Sequence, residues 1–312
     1  MIVCPACKED LISKENKYLC LNNNCFHSDE ENAYRSFCNK PLLISFELTD
    51  TVCKPDFFLE EDYRVTHRRN PKILKLFYSL VYGTSKETTK NIDLFLDNLQ
   101  NLESPRILII GGGTDGHSLD KLLNNKKALI TNIDIYPSDN TDFICDAHFL
   151  PFKPGVFDGV IIQAVLEHVL SPPQVVDEIH RVLKEDGIVY AETSFLQHVH
   201  EKEFDFTRYT PNGHRYLFRK FENISFGSIR GPITVIAWTV RNLFESIFKS
   251  TYIGKLASIP FFITANLLDR FLKNKFSILG STAVYFLGLR KELFFLKASE
   301  LQNTYKDIDN YK

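Results

Sequence analysis

Ile107-Leu108-Ile109-Ile110-Gly111-Gly112-Gly113-Thr114-Asp115-Gly116 is the stretch on which the fold turns. Four apolar residues run straight into a glycine-rich turn, and a helical pattern follows with Leu119, Leu122 and Leu123 on one face. That order reads as a buried strand, a tight turn and a helix start. Glycines let the backbone approach a ligand closely, and the unpaired N–H groups of a helix start face it. The segment predicts a cofactor cradle.

The spacing leaves the cofactor open. Gly111, Gly113 and Gly116 fit G-x-G-x-x-G, the dinucleotide fingerprint. Asp134 ends a second apolar run, Ala128-Leu129-Ile130-Thr131-Asn132-Ile133. A carboxylate there accepts hydrogen bonds from two ribose hydroxyls. NAD enzymes and methyltransferases both place an acid at that point.

The downstream blocks separate the two. They read Asp146-Ala147-His148-Phe149-Leu150-Pro151-Phe152, Phe157-Asp158-Gly159-Val160-Ile161-Ile162, Val165-Leu166-Glu167-His168-Val169 and Arg181-Val182-Leu183-Lys184-Glu185-Asp186-Gly187. In order and spacing they resemble the class I S-adenosylmethionine-dependent methyltransferases, in the broad subgroup (methyltransferase type 11) related to the ubiquinone/menaquinone C-methyltransferases. The resemblance covers about residues 105–225. It implies that Gly111 and Gly113 pack against the methionine part of the cofactor and that Asp134 holds the ribose. It also implies that Asp146 accepts from the adenine amino group with Ala147 beside the ring, and Gln163 is placed with this cofactor set. A short strand, Phe143-Ile144-Cys145, delivers Asp146 to the carboxyl edge of a parallel sheet, where such sheets bind ligands. Two departures stand out. Ile109 occupies the position where the family usually carries an acid, and the last loop glycine falls on Asp115 or Gly116, with Asp115 a stand-in for the missing carboxylate.

A chain of 312 residues with 44% hydrophobic content can bury a full α/β core and carry appendages. A net charge of −2 counts against a strongly electrostatic nucleic-acid binder, and the basic run Arg64, His67, Arg68, Arg69, Lys72, Lys75 reads as a solvated helix face. The start of the chain is a cysteine motif rather than a charged and then apolar leader. Residues 1–45 read as a separate unit. Cys4 and Cys7 pair with Cys20 and Cys25 across a dozen residues, with Tyr18-Leu19 as a strand into the second knuckle. That spacing makes a closed tetrahedral thiolate site for structural zinc. Disulfides are the alternative, set aside because seven cysteines are an odd number and no export signal precedes them. His27 is an alternative ligand to Cys25, and Cys38, Cys53 and Cys145 read as plain thiols. The unit resembles the zinc ribbons that precede the methyltransferase domain in large-subunit rRNA guanine methyltransferases.

Residues 46–104 read as a helical linker and lid, with helices expected at about 71–82 and 85–102; the resemblance implies a place for Tyr82-Gly83-Thr84 in a lid over the cofactor, with a packing role the favoured alternative. Beyond the loop, strand–helix alternation predicts a parallel sheet. A helix from Pro172 carries Val175, Val176, Ile179, Val182 and Leu183 on one face, and a fifth strand, residues 187–191, ends at Glu192, Thr193 and Ser194. The segment after it, His198 to Thr210, resembles the His-x-x-x-x-Asp-Phe-x-Arg-Tyr-Thr stretch of methyltransferases encoded with surface-polysaccharide genes. Methyl transfer by in-line displacement depends mostly on positioning, with a base where an oxygen or nitrogen attacks. His200, Asp205 and, near the cofactor, His168 are the candidate catalytic groups. Arg208 and Tyr209 are candidates for an acidic or sugar substrate. A structural Asp205–Arg208 ion pair is the alternative.

Residues 231–275 read as a helical insertion, 276–292 as the last strand of the core and 293–312 as a polar tail. The uncharged runs Leu256–Leu268 and Phe276–Leu289 are 13 and 14 residues long, short of the roughly 18 that span a bilayer. The insertion has three readings: ordinary core, a membrane-surface element beside a lipid-linked substrate, or a dimer contact. The expected architecture is a doubly wound, seven-stranded, mostly parallel Rossmann-like sheet (core 105–230) with an N-terminal zinc ribbon. The expected activity is methyl transfer from S-adenosylmethionine to an oxygen or nitrogen of a small-molecule or carbohydrate, lipid-linked glycan acceptor. It is expected in the cytoplasm or peripheral at the inner membrane face. Two alternatives remain: an RNA methyltransferase gripping RNA through the ribbon, and a non-catalytic cofactor-binding partner subunit.

Overall fold

A computed structural model describes residues 1–58, 85–113, 118–269, 271–272 and 275–303. The basic run at 64–75, the expected helix at 71–82, the Tyr82-Gly83-Thr84 segment, Asp115 and Gly116 lie outside them. So do residues 304–312 of the polar tail.

The apolar runs form the strands the pattern predicts. Arg106–Ile110 (β5), Leu129–Asp134 (β6), Phe143–Cys145 (β7), Phe157–Gln163 (β8) and Leu183–Ser194 (β9) lie parallel. Ala283–Arg290 (β11) adds antiparallel beside β9, and Phe221–Ile229 (β10) pairs antiparallel with β11, so that β10 runs in the direction of β9. The seven run in the order β7-β6-β5-β8-β9-β11-β10. The chain reverses direction in the sheet between β5 and β8, the switch point at which doubly wound sheets bind ligands.

Seven is not the final count. The described residues form one sheet of 11 strands. Leu11–Lys14 (β1), Lys17–Cys20 (β2), Tyr34–Phe37 (β3) and Lys40–Leu43 (β4) make an antiparallel set at its edge. Leu42 and Leu43 pair parallel with Ile144 and Cys145. The first 45 residues are therefore stitched to the core rather than set apart. The physical reason is the edge that a three-residue β7 leaves open, which β4 closes.

Side chains alternate across the sheet. Leu108, Ile110, Val160, Ile162, Val189 and Phe286 pack on one face with Val175, Val176, Ile179 and Val182 of the helix Pro172–Val182. Ile107, Ile109, Ile161, Ile188 and Tyr285 pack on the other with Ile92, Phe95 and Leu99 of α1, Lys86–Leu99. The Ser85 hydroxyl caps α1 by accepting from the Thr88 N–H. After the glycine loop only one helical turn, Asp120–Leu123, is described; Leu119 and Leu122 are buried but Leu123 is exposed.

The insertion between β10 and β11 is a helical hairpin, Pro232–Phe248 and Thr251–Leu268. Asp269 closes it: its carboxylate accepts from the N–H groups of Gly231, Ile233 and Thr234 and from the Thr234 hydroxyl. Its own core is small, with the Trp238 and Phe262 rings edge to face at 5.4 Å. Ile236, Leu243, Ile247, Tyr252 and Leu256 stay exposed.

Candidate functional site

The glycine turn is where β5 must stop without side chains. Gly111 has φ +77°, and a Cβ on it would lie 2.3 Å from Val165 Cγ2. A Cβ on Gly113 would lie 2.5 Å from Asp134 Oδ2. The Gly113 N–H instead donates to that oxygen at 2.9 Å, and Oδ1 accepts from the Tyr136 N–H at 3.1 Å. β6 thus delivers Asp134 onto the turn, as the spacing required.

Asp146 ends β7 and is 5% exposed. Its Oδ1 accepts from the His148 N–H at 2.9 Å and meets His148 Nδ1 at 2.5 Å. His148 Nε2 accepts from the Ser171 N–H at 3.0 Å, so Nδ1 carries the ring proton and donates to Asp146. Burial alone raises the Asp146 carboxyl, but the hydrogen bonds and charge from His148 outweigh it and hold the group below its ordinary value.

Both acids and the turn line one cavity of about 700 Å³. Ile110 to Gly113, Asp134, Asp146, Ala147 and Gln163 line it. Glu167, His168, His200, Phe204, Glu192, Arg230, Trp238 and Phe262 line it as well. Among the cofactor residues expected from the sequence, all but Asp115, which is undescribed, line it.

The expected catalytic set is split. His168 and His200 line the cavity, with Nε2 atoms 3.1 Å apart. Asp205, Arg208 and Tyr209 are not part of the lining. The Asp205 side chain is 1% exposed and ion-paired with both terminal nitrogens of Arg208, one at 2.6 Å. Burial pushes its carboxyl up, but Arg208 and the His200 N–H draw it below the ordinary value. Arg208 Nε also donates to the Gln197 carbonyl. The pair braces the loop, because a buried carboxylate needs a cation more than the cavity needs the acid. Tyr209 packs edge-on against His214 at 6.1 Å.

Glu167, Glu192, Arg230 and Trp238 were not singled out from the sequence. Glu167 sat inside a quoted block, and Glu192 ended a predicted strand, so both had a positional signal. Arg230 and Trp238 had none. Glu192 accepts from the Thr88 hydroxyl at 2.6 Å and from the Tyr190 hydroxyl.

In the N-terminal unit the Sγ atoms of Cys4, Cys7, Cys20 and Cys25 lie within 4.8 Å of one another. Cys4–Cys25 is 3.8 Å and Cys7–Cys20 is 3.3 Å. Tetrahedral thiolates about 2.3 Å from zinc stand about 3.8 Å apart, whereas a disulfide needs about 2.05 Å. His27 points elsewhere: Nδ1 meets the Asn32 carbonyl and Nε2 the Ser45 hydroxyl. The cluster sits against the loop that follows Asp146. The Val3 N–H donates to the Pro151 carbonyl at 2.9 Å, and Lys8 Nζ to the Leu150 carbonyl at 3.2 Å and Glu178 Oε2 at 2.8 Å.

Residues 108–191 match a protein-family profile described as "Methyltransferase domain". The matched segment runs from β5 to β9 and holds the turn and both acids. No curated protein sequence matches the chain. Similar solved structures include the [4+2]-cyclase SpnF (17% identity, 65% of this chain and 80% of that one, TM-score 0.39). Another is Haemonchus contortus phosphoethanolamine N-methyltransferase 2 with S-adenosylmethionine (15% identity, 72% and 59%, TM-score 0.43). A third is coclaurine N-methyltransferase (12% identity, 66% and 71%, TM-score 0.43). The profile match gives the chain a methyltransferase domain over residues 108–191, set in a mixed α/β fold around a largely parallel sheet.

Proposed function

We propose that this methyltransferase moves the methyl group of S-adenosylmethionine to an oxygen or nitrogen of a small-molecule or carbohydrate acceptor that carries an apolar part. The observation behind it is the single cavity joining Gly111, Asp134 and Asp146 to Trp238 and Phe262. Asp134 takes the ribose hydroxyls, Asp146 the adenine amino group and the glycine turn the methionine portion. The acceptor occupies the rest of the cavity, a second arm on this reading, lined by Glu167, His168, His200, Trp238 and Phe262. As its oxygen or nitrogen bonds to the methyl carbon, the sulfur–carbon bond breaks, the acceptor loses its proton and S-adenosylhomocysteine departs. Holding the three atoms in line supplies most of the acceleration.

Structural zinc on Cys4, Cys7, Cys20 and Cys25 belongs to this reading, supported by the sulfur spacing. A lipid-linked glycan is the favoured acceptor class. The hairpin that walls the second arm with Trp238 and Phe262 turns Ile236, Leu243, Ile247 and Leu256 outward. No helix among the described residues is long and apolar enough to cross a membrane, which leaves a helix pair lying along the surface. A net charge of −2 disfavours RNA as the substrate.

Isothermal titration tests the cofactor assignment. S-adenosylhomocysteine is expected to bind with one site per chain, and Asp134→Ala and Asp146→Ala each to weaken it at least about tenfold, a loss of about 1.4 kcal/mol. Preferential binding of NAD, or full affinity in both variants, would overturn it.

A further inference from the structure

We infer that Glu167, His168 and His200 form a divalent transition-metal site in the acceptor arm of the cavity. The tautomers carry the inference. His168 Nδ1 lies 2.8 Å from the Phe204 carbonyl oxygen, and His200 Nδ1 lies 3.2 Å from the His198 carbonyl oxygen. A carbonyl only accepts, so each Nδ1 bears the ring proton and each neutral ring presents a bare lone pair at Nε2. Those two lone pairs face each other at 3.1 Å. Two neutral rings repel at that distance, and either a shared proton or a bound cation brings the nitrogens together.

A second observation points the same way. Glu167 is 0% exposed. Its Oε1 accepts from the Ser194 hydroxyl at 2.5 Å and the Ser194 N–H at 3.3 Å, whereas the buried Oε2 has no partner among the described residues. A bare carboxylate oxygen in such a place is costly unless it meets a cation. Glu167, His168 and His200 each offer one ligand atom, and these atoms all lie within 4.8 Å of one another. Two nitrogens bound to one ion at about 2.1 Å stand about 3.0 Å apart when they subtend a right angle, close to the 3.1 Å seen.

The surroundings fit. Metal-bound imidazoles usually donate their other N–H to a carbonyl or carboxylate, which fixes the ring. Both rings do so here, and Asp205 adds to it: its Oδ2 accepts from the His200 N–H at 3.0 Å and lies 3.4 Å from Nδ1. The Asp205–Arg208 pair thereby acquires a positioning role. Two imidazoles and one carboxylate facing a cavity leave coordination positions open, the donor set of cobalt(II), iron(II), manganese(II) or zinc(II) rather than of calcium. On the reading of the cavity as a methyl-transfer site, those positions take an acceptor oxygen beside the methyl group, and the ion acts as a Lewis acid on it. The acceptor class narrows to hydroxyl compounds, with vicinal oxygens fitting best.

Cobalt(II) is the probe. The full chain is stripped of metal, its thiolate cluster is loaded with one equivalent of zinc, and cobalt(II) is titrated while the visible spectrum and bound metal are recorded. One further equivalent is expected, with weak d–d bands and no sulfur-to-cobalt charge transfer. His200→Ala, and separately His168→Gln, should each lower that affinity at least tenfold while melting cooperatively. The difference of one equivalent between parent and variants is the readout, whatever the cysteines hold. A parent that takes up no further equivalent overturns the site, and so do variants that both retain it. S-adenosylhomocysteine titrated into the same samples keeps the two ideas apart. Loss of cobalt with intact nucleoside binding removes the metal site alone, and cobalt uptake without nucleoside binding removes the methyl-transfer reading.

Discussion

At the scale of single residues the site depends on atoms that leave no room. Gly113→Ala puts a methyl group against Asp134 Oδ2 at 2.5 Å. The strand end must yield, and S-adenosylhomocysteine affinity should fall at least about tenfold by titration. His214 offers a test of another kind. It is fully buried beside Thr193 Oγ1 at 3.0 Å, and burial, with the Arg215 charge, lowers it to about 3. The unfolded chain takes up that proton near pH 6.5, so between there and about pH 3 unfolding binds more protons than the native state. The stabilisation is present above pH 6.5 and drains as pH falls, by up to about 1.4 kcal/mol per pH unit. Urea midpoints at pH 7, 6 and 5 should decline, and His214→Gln should flatten the decline. Gly111, Asp134 and Asp146 were legible in the sequence because a strand, a glycine turn and an acid at a strand end fix their own neighbours. The solitary oxygen of Glu167 was not, because it depends on where Ser194, 27 residues later, turns its hydroxyl.

At the scale of elements, the alternation of apolar runs with helices placed strands near 107–110, 128–133, 143–145, 157–162, 187–191 and 282–289, where strands are found, but gave no place to β10. What alternation cannot show is which edge another segment will cover. β4 falls inside the expected ribbon unit, yet besides β3 it pairs with β7, about a hundred residues on. The hairpin between β10 and β11 also had an ambiguous pattern. Its apolar residues exceed what one face can bury, so periodicity did not say which side meets the cavity. Trp238 does. Trp238→Ala opens that wall, and the expected result is an acceptor KM raised at least about fivefold with S-adenosylhomocysteine affinity unchanged, measured by initial rates and titration. A cofactor affinity that falls in step would deny the two-arm division.

At the scale of the whole molecule the outward face of the hairpin should make the chain adhere to lipid. Co-sedimentation with anionic phospholipid vesicles is expected, with the double variant Ile247→Glu, Leu256→Glu mostly left in the supernatant and its melting temperature close to the parent's. Equal sedimentation of both would separate the hairpin from lipid. The N-terminal set has a reach of its own. Through Leu43 against Cys145, Val3 against Pro151 and Lys8 against Leu150, the segment that carries the four cysteines holds both flanks of Asp146, the acid we propose for adenine. Two ligands that favour one conformation of a shared loop must favour each other, and by equal factors. Occupancy by the nucleoside should then slow the escape of zinc to a chelator, and a chain starved of zinc should hold the nucleoside loosely, so that metal supply sets the rate at which methyl groups are spent.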